Sequence, residues 1–431
     1  MSGDSYSFRR PTSSLTLRNM IDDPRELIAA VRQKINSSET QAAIVFNCHI
    51  TGLAVARSLG RRGVPVIGLD RDENGYGLHS RYTTVAGRCP YPLDDERAFV
   101  DLLMEIGAAL KQKAVLFPCL DEWVFAVARH ASELGEYFIL PFSDIDTVER
   151  ILDKNLLYRK CEERGIPIPR TYYVGEQTPE QIASEISYPC IVKPALQREF
   201  TNEFGEKVLR ADIREDFLAL CKRAGHHPLL AQEIVGAGID SFYSLCSYIG
   251  RDGQAKGAFV GRKLEQYPPD FGTACLVDSR YVAEIVERGV DILKEFGYHG
   301  ISEVEFIYDD RSREYKLLDI NTRVWKWIGL PINAGIDLPW LAYADAVFGN
   351  VEAAPKQREA LRWVYLKDYI ALRRETPGVE ETTLSRQEWL DLIAGAENSQ
   401  VVDAVFSSDD PAPFVQMIES LFAKTQYYCA C

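Results

Sequence analysis

Hydrophobic and polar positions fall into two textures along this chain. Up to about residue 150, short and wholly apolar runs alternate with helical stretches. "QAAIVFNCHITGLAVARSLGRRGVPVIGLD" predicts a strand, a tight turn, a helix over about 52–59, and a second strand, "VPVIGLD", ending in Asp70. Such a βαβ unit implies a parallel sheet, with ligands at the carboxyl ends of its strands. A second unit follows, with a helix near 95–112, the strand "AVLFPC" and the helix beginning "LDEWVFAVARH". Ahead of both, residues 1–40 predict a polar arm and one helix, "DDPRELIAAVRQKI", started by Pro24.

Beyond residue 150 the pattern changes. "DTVERILDKNLLYRKCEERGIPIPRTYYV" predicts one helix stopped by Gly165, then an extended, proline-containing segment. "YPCIVKPA" is a short strand carrying Lys193, and "ALQREFTNEFGEK" after it is expected as a loop. The stretch from "PLLAQEIV" to "PPDFG" predicts several antiparallel strands, with "GRDGQ" as a hairpin turn. "HGISEVEFIYDDRSREYKLLDINTR" is a second hairpin with a charged loop. A mixed tail of helices and strands containing "SSDDPAPF" follows residue 350. The expected class is α/β. An arm and helix (1–40) lead to a Rossmann-like parallel-sheet domain (41–150), a two-lobed domain with antiparallel sheets (151–350, small lobe about 168–235) and an α/β extension (351–431).

Composition narrows the function. With 431 residues, 46% hydrophobic and 26% charged, the chain can build two or three cores. Its formal charge of −14, without a basic block, argues against nucleic acid or an anionic membrane as partner. Of the ten cysteines, Cys190, Cys221, Cys246 and Cys275 sit singly in apolar runs and no CxxC pair occurs, which suits buried thiols in a reducing, cytoplasmic setting. The tail "YYCAC" has Cys429 third from its end, not fourth as a prenylation box requires, and is expected to fray. "MSGDSYSFRRPTSSLTLRNM" has no apolar core and does not read as a signal peptide. No run of about eighteen apolar residues predicts a membrane span.

A dinucleotide site is the tempting reading of the first βαβ unit. Its turn is "NCHITG", however, and lacks the glycines that let a backbone approach a pyrophosphate. Asp70 could bind a ribose, but a strand-ending Asp that caps the next turn is at least as common.

The second hairpin carries more chemistry. Period-two alternation puts Leu317, Asp319 and Asn321 on one face and Leu318 and Ile320 on the other. On the partner strand, Glu303 and Glu305 alternate with Val304 and Phe306. Pairing brings Glu305, Asp319 and Asn321 together: hard oxygen donors suited to Mg²⁺, which commonly bridges carboxylates to phosphates. The alternative is a solvated sheet face with a salt bridge to Arg323. Upstream cations favour the metal. Lys193 lies between apolar neighbours, Lys154 starts a helix, and Arg262 and Lys263 interrupt the strand "AFVGRKL". Four cations beside two carboxylates, in an acidic protein, suit a polyphosphate clamp with its Mg²⁺.

The order Lys154, "IVKP", "QEIVGAGIDS", "GRKLEQYPPDFG", "EVEF", "LLDINTR" resembles the ATP-grasp superfamily. More narrowly, it is similar to the D-aspartate-ligase-like carboxylate–amine ligases. The resemblance covers about 41–350 and "DPAPF". It implies a parallel-sheet pre-ATP-grasp domain ahead of a two-lobed ATP-grasp domain. It also implies an ADP-forming ligase that makes an acyl phosphate and couples it to an amine, using ATP and Mg²⁺, with Mn²⁺ as a substitute. Lys154 and Lys193 would contact the ATP phosphates. Gln232, Glu233, Ile234 and Val235 would hold adenine, and Asp240 the ribose. Glu305, Asp319 and Asn321 would hold the metal, while Arg262 and Arg323 would stabilise the transferred phosphoryl group. Two departures stand out: Asp319 replaces the usual Glu, and the loop after Lys193 is poor in glycine. His49, Thr51, Asp121 and Glu122, at strand ends, are candidates for touching the acid, or ordinary turn and cap residues. The implied partners are a small carboxylic acid and an amine, of amino-acid type, and at most a second copy in a homodimer. Alternatives are a thiol or other acceptor, or a non-catalytic nucleotide-binding protein.

Overall fold

The computed structural model describes residues 20–236, 238–349, 351–378, 383–396 and 398–422. The predicted arm up to residue 19 and the "YYCAC" tail lie outside the described residues. The first sheet contains β1 (Ala43–Phe46), β2 (Val66–Asp70), β3 (Val85–Arg88), β4 (Ala114–Phe117) and β5 (Phe138–Ile139), in the order β3-β2-β1-β4-β5. All its pairings are parallel. β1, β2 and β4 are buried along their whole length, as continuous apolar runs require. The turn after β1 leads into the helix Ile50–Gly60. A Cβ on Gly52 would lie 2.5 Å from the Asn47 carbonyl oxygen, so only glycine fits the turn. Asp70 caps this turn, accepting from the Cys48 N–H at 2.6 Å and the Asp72 N–H at 3.2 Å.

The single helix expected over the "DTVERILDKNLLYRKCEERG" stretch is two, Ile145–Leu152 and Lys154–Arg164. Asp153 interrupts it with extended backbone, and its side chain accepts from the Asn155 and Leu156 N–H groups. A second N-cap thus outcompetes continuation. Gly165 ends the second helix in the left-handed region, as expected.

A four-stranded sheet follows, with β6 (Thr171–Tyr173), β7 (Cys190–Pro194), β8 (Leu209–Ala211) and β9 (Leu229–Glu233) in the order β6-β9-β7-β8. The expected loop after Lys193 is instead a helix, Gln197–Phe204. Phe200 and Phe204, one turn apart with ring centroids 4.6 Å apart, anchor it, and Gly205 caps it at φ 74°.

The third sheet contains β10 (Phe242–Ile249), β11 (Ala255–Tyr267), β12 (Thr273–Ser279), β13 (Gly300–Asp309), β14 (Glu314–Asn321), β15 (Arg362–Val364) and β16 (Val401–Asp403). Their order is β14-β13-β10-β11-β12-β15-β16, so the segment after residue 350 extends this sheet. One face packs Leu245, Val260, Val304, Phe306, Leu317 and Ile320 against the helices Lys154–Arg164 and Ala283–Glu295. The other face packs Cys246, Tyr248 and Phe259 against Trp325, Trp327 and residues of the first sheet. The chain then returns to the first sheet. Buried Asp410 accepts from Arg57 Nε at 2.9 Å, Ser80 Oγ at 2.6 Å and the Arg81 N–H at 2.8 Å. Among the described residues, eight cysteines are free and buried, and no helix is long and apolar enough to cross a membrane.

Candidate active site

β13 and β14 pair antiparallel, with Glu303 opposite Asn321 and Glu305 opposite Asp319. The next pair is Phe306 with Leu317, so Leu318 is an extra residue in a β-bulge. The bulge reverses the alternation. Leu317 turns into the core with Ile320, and does not share a face with Asp319 as uninterrupted period two predicts. The Leu318 carbonyl accepts from Tyr158 Oη at 2.5 Å. Asp319 and Asn321 stay on the face of Glu303 and Glu305. Asn321 Nδ2 donates to Glu303 Oε2 at 2.9 Å and to Glu305 Oε1 at 3.1 Å. Burial, and then the neighbouring Glu305 charge, pushes the Glu303 carboxyl up from the usual carboxylate range.

Two lysines reach this face. Lys154 opens its helix, and its N–H donates to the Ala195 carbonyl at 3.0 Å, tying the helix start to the end of β7. Its ammonium pairs with the Asp319 carboxylate. Lys193 is 5% exposed and donates to Tyr158 Oη at 2.5 Å and Gln232 Oε1 at 2.8 Å. Burial first, and the nearby Lys154 charge second, pushes its ammonium down to about 7. Gln232 is held in turn by donating through Nε2 to Thr171 Oγ1 at 2.8 Å. Glu233 ends β9, with Ile234 and Val235 half-buried beyond it, and Asp240 is exposed in the short turn Ile239–Ser241.

The two arginines part company. β14 stops at Asn321, so Arg323 is not a strand residue. Its Nε donates to Asp121 Oδ1 at 2.7 Å and its second amino group to Oδ2 at 3.4 Å. Asp121 is therefore its ion-pair partner, and it opens the helix Asp121–Arg129 after β4. Burial opposes the Arg323 charge, but the Asp121 carboxylate more than offsets it and raises the guanidinium. Arg262, expected in the site, stands opposite Tyr243, which is itself opposite Phe306. Strand alternation thus places Arg262 on the core side of the sheet, where it donates to Asp278 Oδ2 at 2.8 Å. Its neighbour Lys263 takes the site face. The Lys263 ammonium lies 4.8 Å from the Phe242 ring centroid, and its charge lowers the Glu303 carboxyl.

Lys207 is a further cation that the sequence did not single out. Burial, and then Arg323, pushes it down, while Glu305 and Asp121 act in the opposite direction. Of the strand-end residues, His49 is buried with its ring 4.4 Å from that of Tyr76. Burial, and then Lys367 and Lys326, holds His49 well below its ordinary range. Thr51 is buried, and Glu122 accepts from Tyr91 Oη at 3.1 Å. The site face carries an all-oxygen donor set, Glu305, Asp319 and Asn321, with a lysine ammonium already neutralising Asp319. This fits a hard divalent cation.

Known proteins give a consistent setting. The family described as carbamoyl-phosphate synthase L chain, ATP binding domain, matches residues 272–336. D-aspartate ligase from Enterococcus faecium (strain Aus0004) is 25% identical over 289 residues, covering 63% of this chain and 69% of that protein. Among solved structures, the biotin carboxylase domain dimer of Hydrogenobacter thermophilus 2-oxoglutarate carboxylase, in complex with MgADP, ADP and bicarbonate, superposes with a TM-score of 0.60. It is 16% identical and covers 75% of this chain and 74% of that one. An L-amino acid ligase from Bacillus licheniformis gives a TM-score of 0.55 at 16% identity, covering 75% and 78%.

Proposed function

We propose that this chain, which has the ATP-grasp fold, is an ATP-dependent, ADP-forming carboxylate–amine ligase. The observation that carries this reading is the meeting of Lys154 and Lys193 with the Glu305–Asp319–Asn321 face, between the four- and seven-stranded sheets. A carboxylate is a poor acyl donor because its leaving group would be oxide. In the first step a carboxylate oxygen bonds to the γ-phosphorus of ATP and the bond to the bridging oxygen breaks, releasing ADP and leaving an acyl phosphate. An amine nitrogen then bonds to the carbonyl carbon, phosphate departs, and the nitrogen loses a proton. No protein nucleophile is required, so positioning and charge stabilisation carry the rate.

The chain's residues divide this work. Lys154 and Lys193 grip the phosphates; Gln232, Glu233, Ile234 and Val235 line the adenine, and Asp240 the ribose. Glu305, Asp319 and Asn321 would hold Mg²⁺, or Mn²⁺ in its place. When bound, the ion supplies neutralisation of phosphate charge. Arg323, fixed by Asp121, stabilises the moving phosphoryl group, with Lys263 taking the part expected of Arg262, and Lys207 joins them. We place the domain limits near residues 40, 150 and 350, with β15 and β16 completing the central sheet. Amino acids as acid and amine, and a cytoplasmic setting, complete the reading.

The test is a screen of amino acids, singly and in pairs, for release of ADP and phosphate. The expected result is release that needs both an acid and an amine, with an amide product in equal amount. ATP breakdown indifferent to every amine would overturn the ligase assignment.

A further inference from the structure

We propose a second metal site, for a transition ion of the Zn²⁺ type, built by Glu203, His226 and His227 in the lobe of the four-stranded sheet. Glu203 lies in the helix Gln197–Phe204, and the two histidines follow the helix Arg214–Ala224 on the way into β9. Both imidazoles aim at one atom: His226 Nε2 and His227 Nε2 each lie 2.8 Å from Glu203 Oε2. Their ring centroids are 4.3 Å apart, and the three ligand atoms all fall within 4.8 Å of one another.

Several features fit metal ligation better than a surface hydrogen-bond pair. An exposed contact of this kind contributes little, because water and salt screen it. Even so, two adjacent histidines both turn Nε2 to the same oxygen, and the His226 side chain stays 57% exposed while doing so. His227 is held firmly: its ring centroid lies 5.4 Å from that of Phe200 and 6.0 Å from that of Phe204, and its side chain is 11% exposed. Tetrahedral zinc with bonds of about 2.0–2.1 Å separates its ligand atoms by about 3.3 Å. The present 2.8 Å spacings reach that by opening about half an ångström, a movement the exposed Glu203 and His226 side chains can supply around the fixed His227. Two nitrogens and one carboxylate oxygen suit Zn²⁺, Co²⁺ or Ni²⁺, with water in the fourth position. The all-oxygen set at Glu305 suits Mg²⁺ instead, so the chain sorts the two ion types by ligand chemistry.

The site's place in the chain gives it a purpose. The helix carrying Glu203 lies between Lys193 at the end of β7 and Lys207 before β8, the two cations that flank the proposed phosphate site. A metal joining this helix to the residues ahead of β9 cross-links the edge of the lobe. The binding claim is independent of the ligase reading; only this purpose rests on it.

The test uses the full chain without nucleotide. Zn²⁺ is titrated calorimetrically and Co²⁺ by its visible absorption, against wild type, His226→Ala, and the His226→Ala/His227→Ala pair. Wild type is expected to bind one more equivalent than the double variant, with at least 10²-fold tighter affinity for that equivalent. Zn²⁺ should raise the melting temperature of wild type most and that of the double variant not at all, and should protect the 197–207 segment of wild type from proteases. The single variant, altered at the more exposed ligand, gives an intermediate affinity and covers the case in which the pair misfolds. A Glu305→Gln/Asp319→Asn variant is expected to keep the Zn²⁺ equivalent while losing ATP turnover, which separates the two sites. Equal Zn²⁺ stoichiometry and affinity in wild type and the histidine variants would overturn the proposal.

Discussion

Two groups of strand carboxylates in this chain behave in opposite ways. At the carboxyl end of β2 in the parallel sheet, Asp70 is consumed locally: it accepts from the Cys48 and Asp72 backbone, is 1% exposed, and its carboxyl is pushed up to about 7 by burial. At the edge of the antiparallel sheet, Glu303, Glu305 and Asp319 crowd onto one face with only Asn321 and a ring of cations to offset them. The first arrangement ties Asp70 into the backbone of its own turns. The second gathers charges of both signs on one largely buried face, the kind of perturbed cluster that marks a candidate binding site.

Isosteric changes should break this contrast most sharply. Glu305→Gln and Asp319→Asn are each expected to lower ADP release by 10³-fold or more with melting nearly unchanged, as measured by coupled assay and thermal denaturation. Asp70→Asn should do the reverse, costing about 1–3 kcal/mol of stability by weakening a buried acceptor while turnover per folded molecule holds. If Asp70→Asn kills turnover without lowering the melting temperature, the Asp70 turn belongs to the site along with Asp121. Ligand protection asks the same question: MgATP at a hundred times its Kd should add about 2.7 kcal/mol of stability, and NAD nothing.

The two arginines sharpen the comparison within one sheet. Arg323→Lys is expected to lose about 10²-fold in turnover, since a fixed charge-stabilising donor contributes on that order. Arg262→Lys, on the far face, should stay within a few-fold. Equal losses in steady-state assays would mean that the sheet's sidedness does not organise the chemistry.

The smallest effect concerns protons. Lys193 has its ammonium lowered from 10.5 to about 7 by burial and Lys154. At pH 8 the free protein therefore holds it mostly neutral, and bound phosphates recharge it. Calorimetry in buffers of different ionisation enthalpy should show uptake of about one proton with ATP, and affinity falling about tenfold per pH unit above 7. Lys193→Met should abolish the uptake. In the free protein this lysine penalises folding below pH 7, and the penalty is relieved between about 7 and 10.5, so its contribution to stability rises across that window.

Local pattern made much of this legible. The alternation in "EVEF" and "LLDIN" foretold the shared face, and the apolar runs with their turn foretold the parallel sheet. What escaped depends on register or distance. The bulge at Leu318 leaves no mark in composition. "AFVGRKL" belongs to a strand buried on both faces, so alternation could not say whether Arg262 or Lys263 faced the carboxylates. Asp121 and Arg323 are 202 residues apart, beyond any local signal. The helix Gln197–Phe204 was within reach, since Phe200, Phe204 and Gly205 carry its spacing and stop.

The clasp at Asp410 bears on how the protein is made. Its partner Arg57 lies 353 residues earlier in the chain and is 6% exposed. At a synthesis rate of about 5–20 residues per second, a ribosome needs about 20–70 s to pass from one to the other. For that interval the nascent first sheet has a guanidinium pocket and no counter-ion. Completion of the N-terminal unit therefore waits until synthesis has passed Asp410, and a chain stalled before it leaves that unit without this buried ion pair.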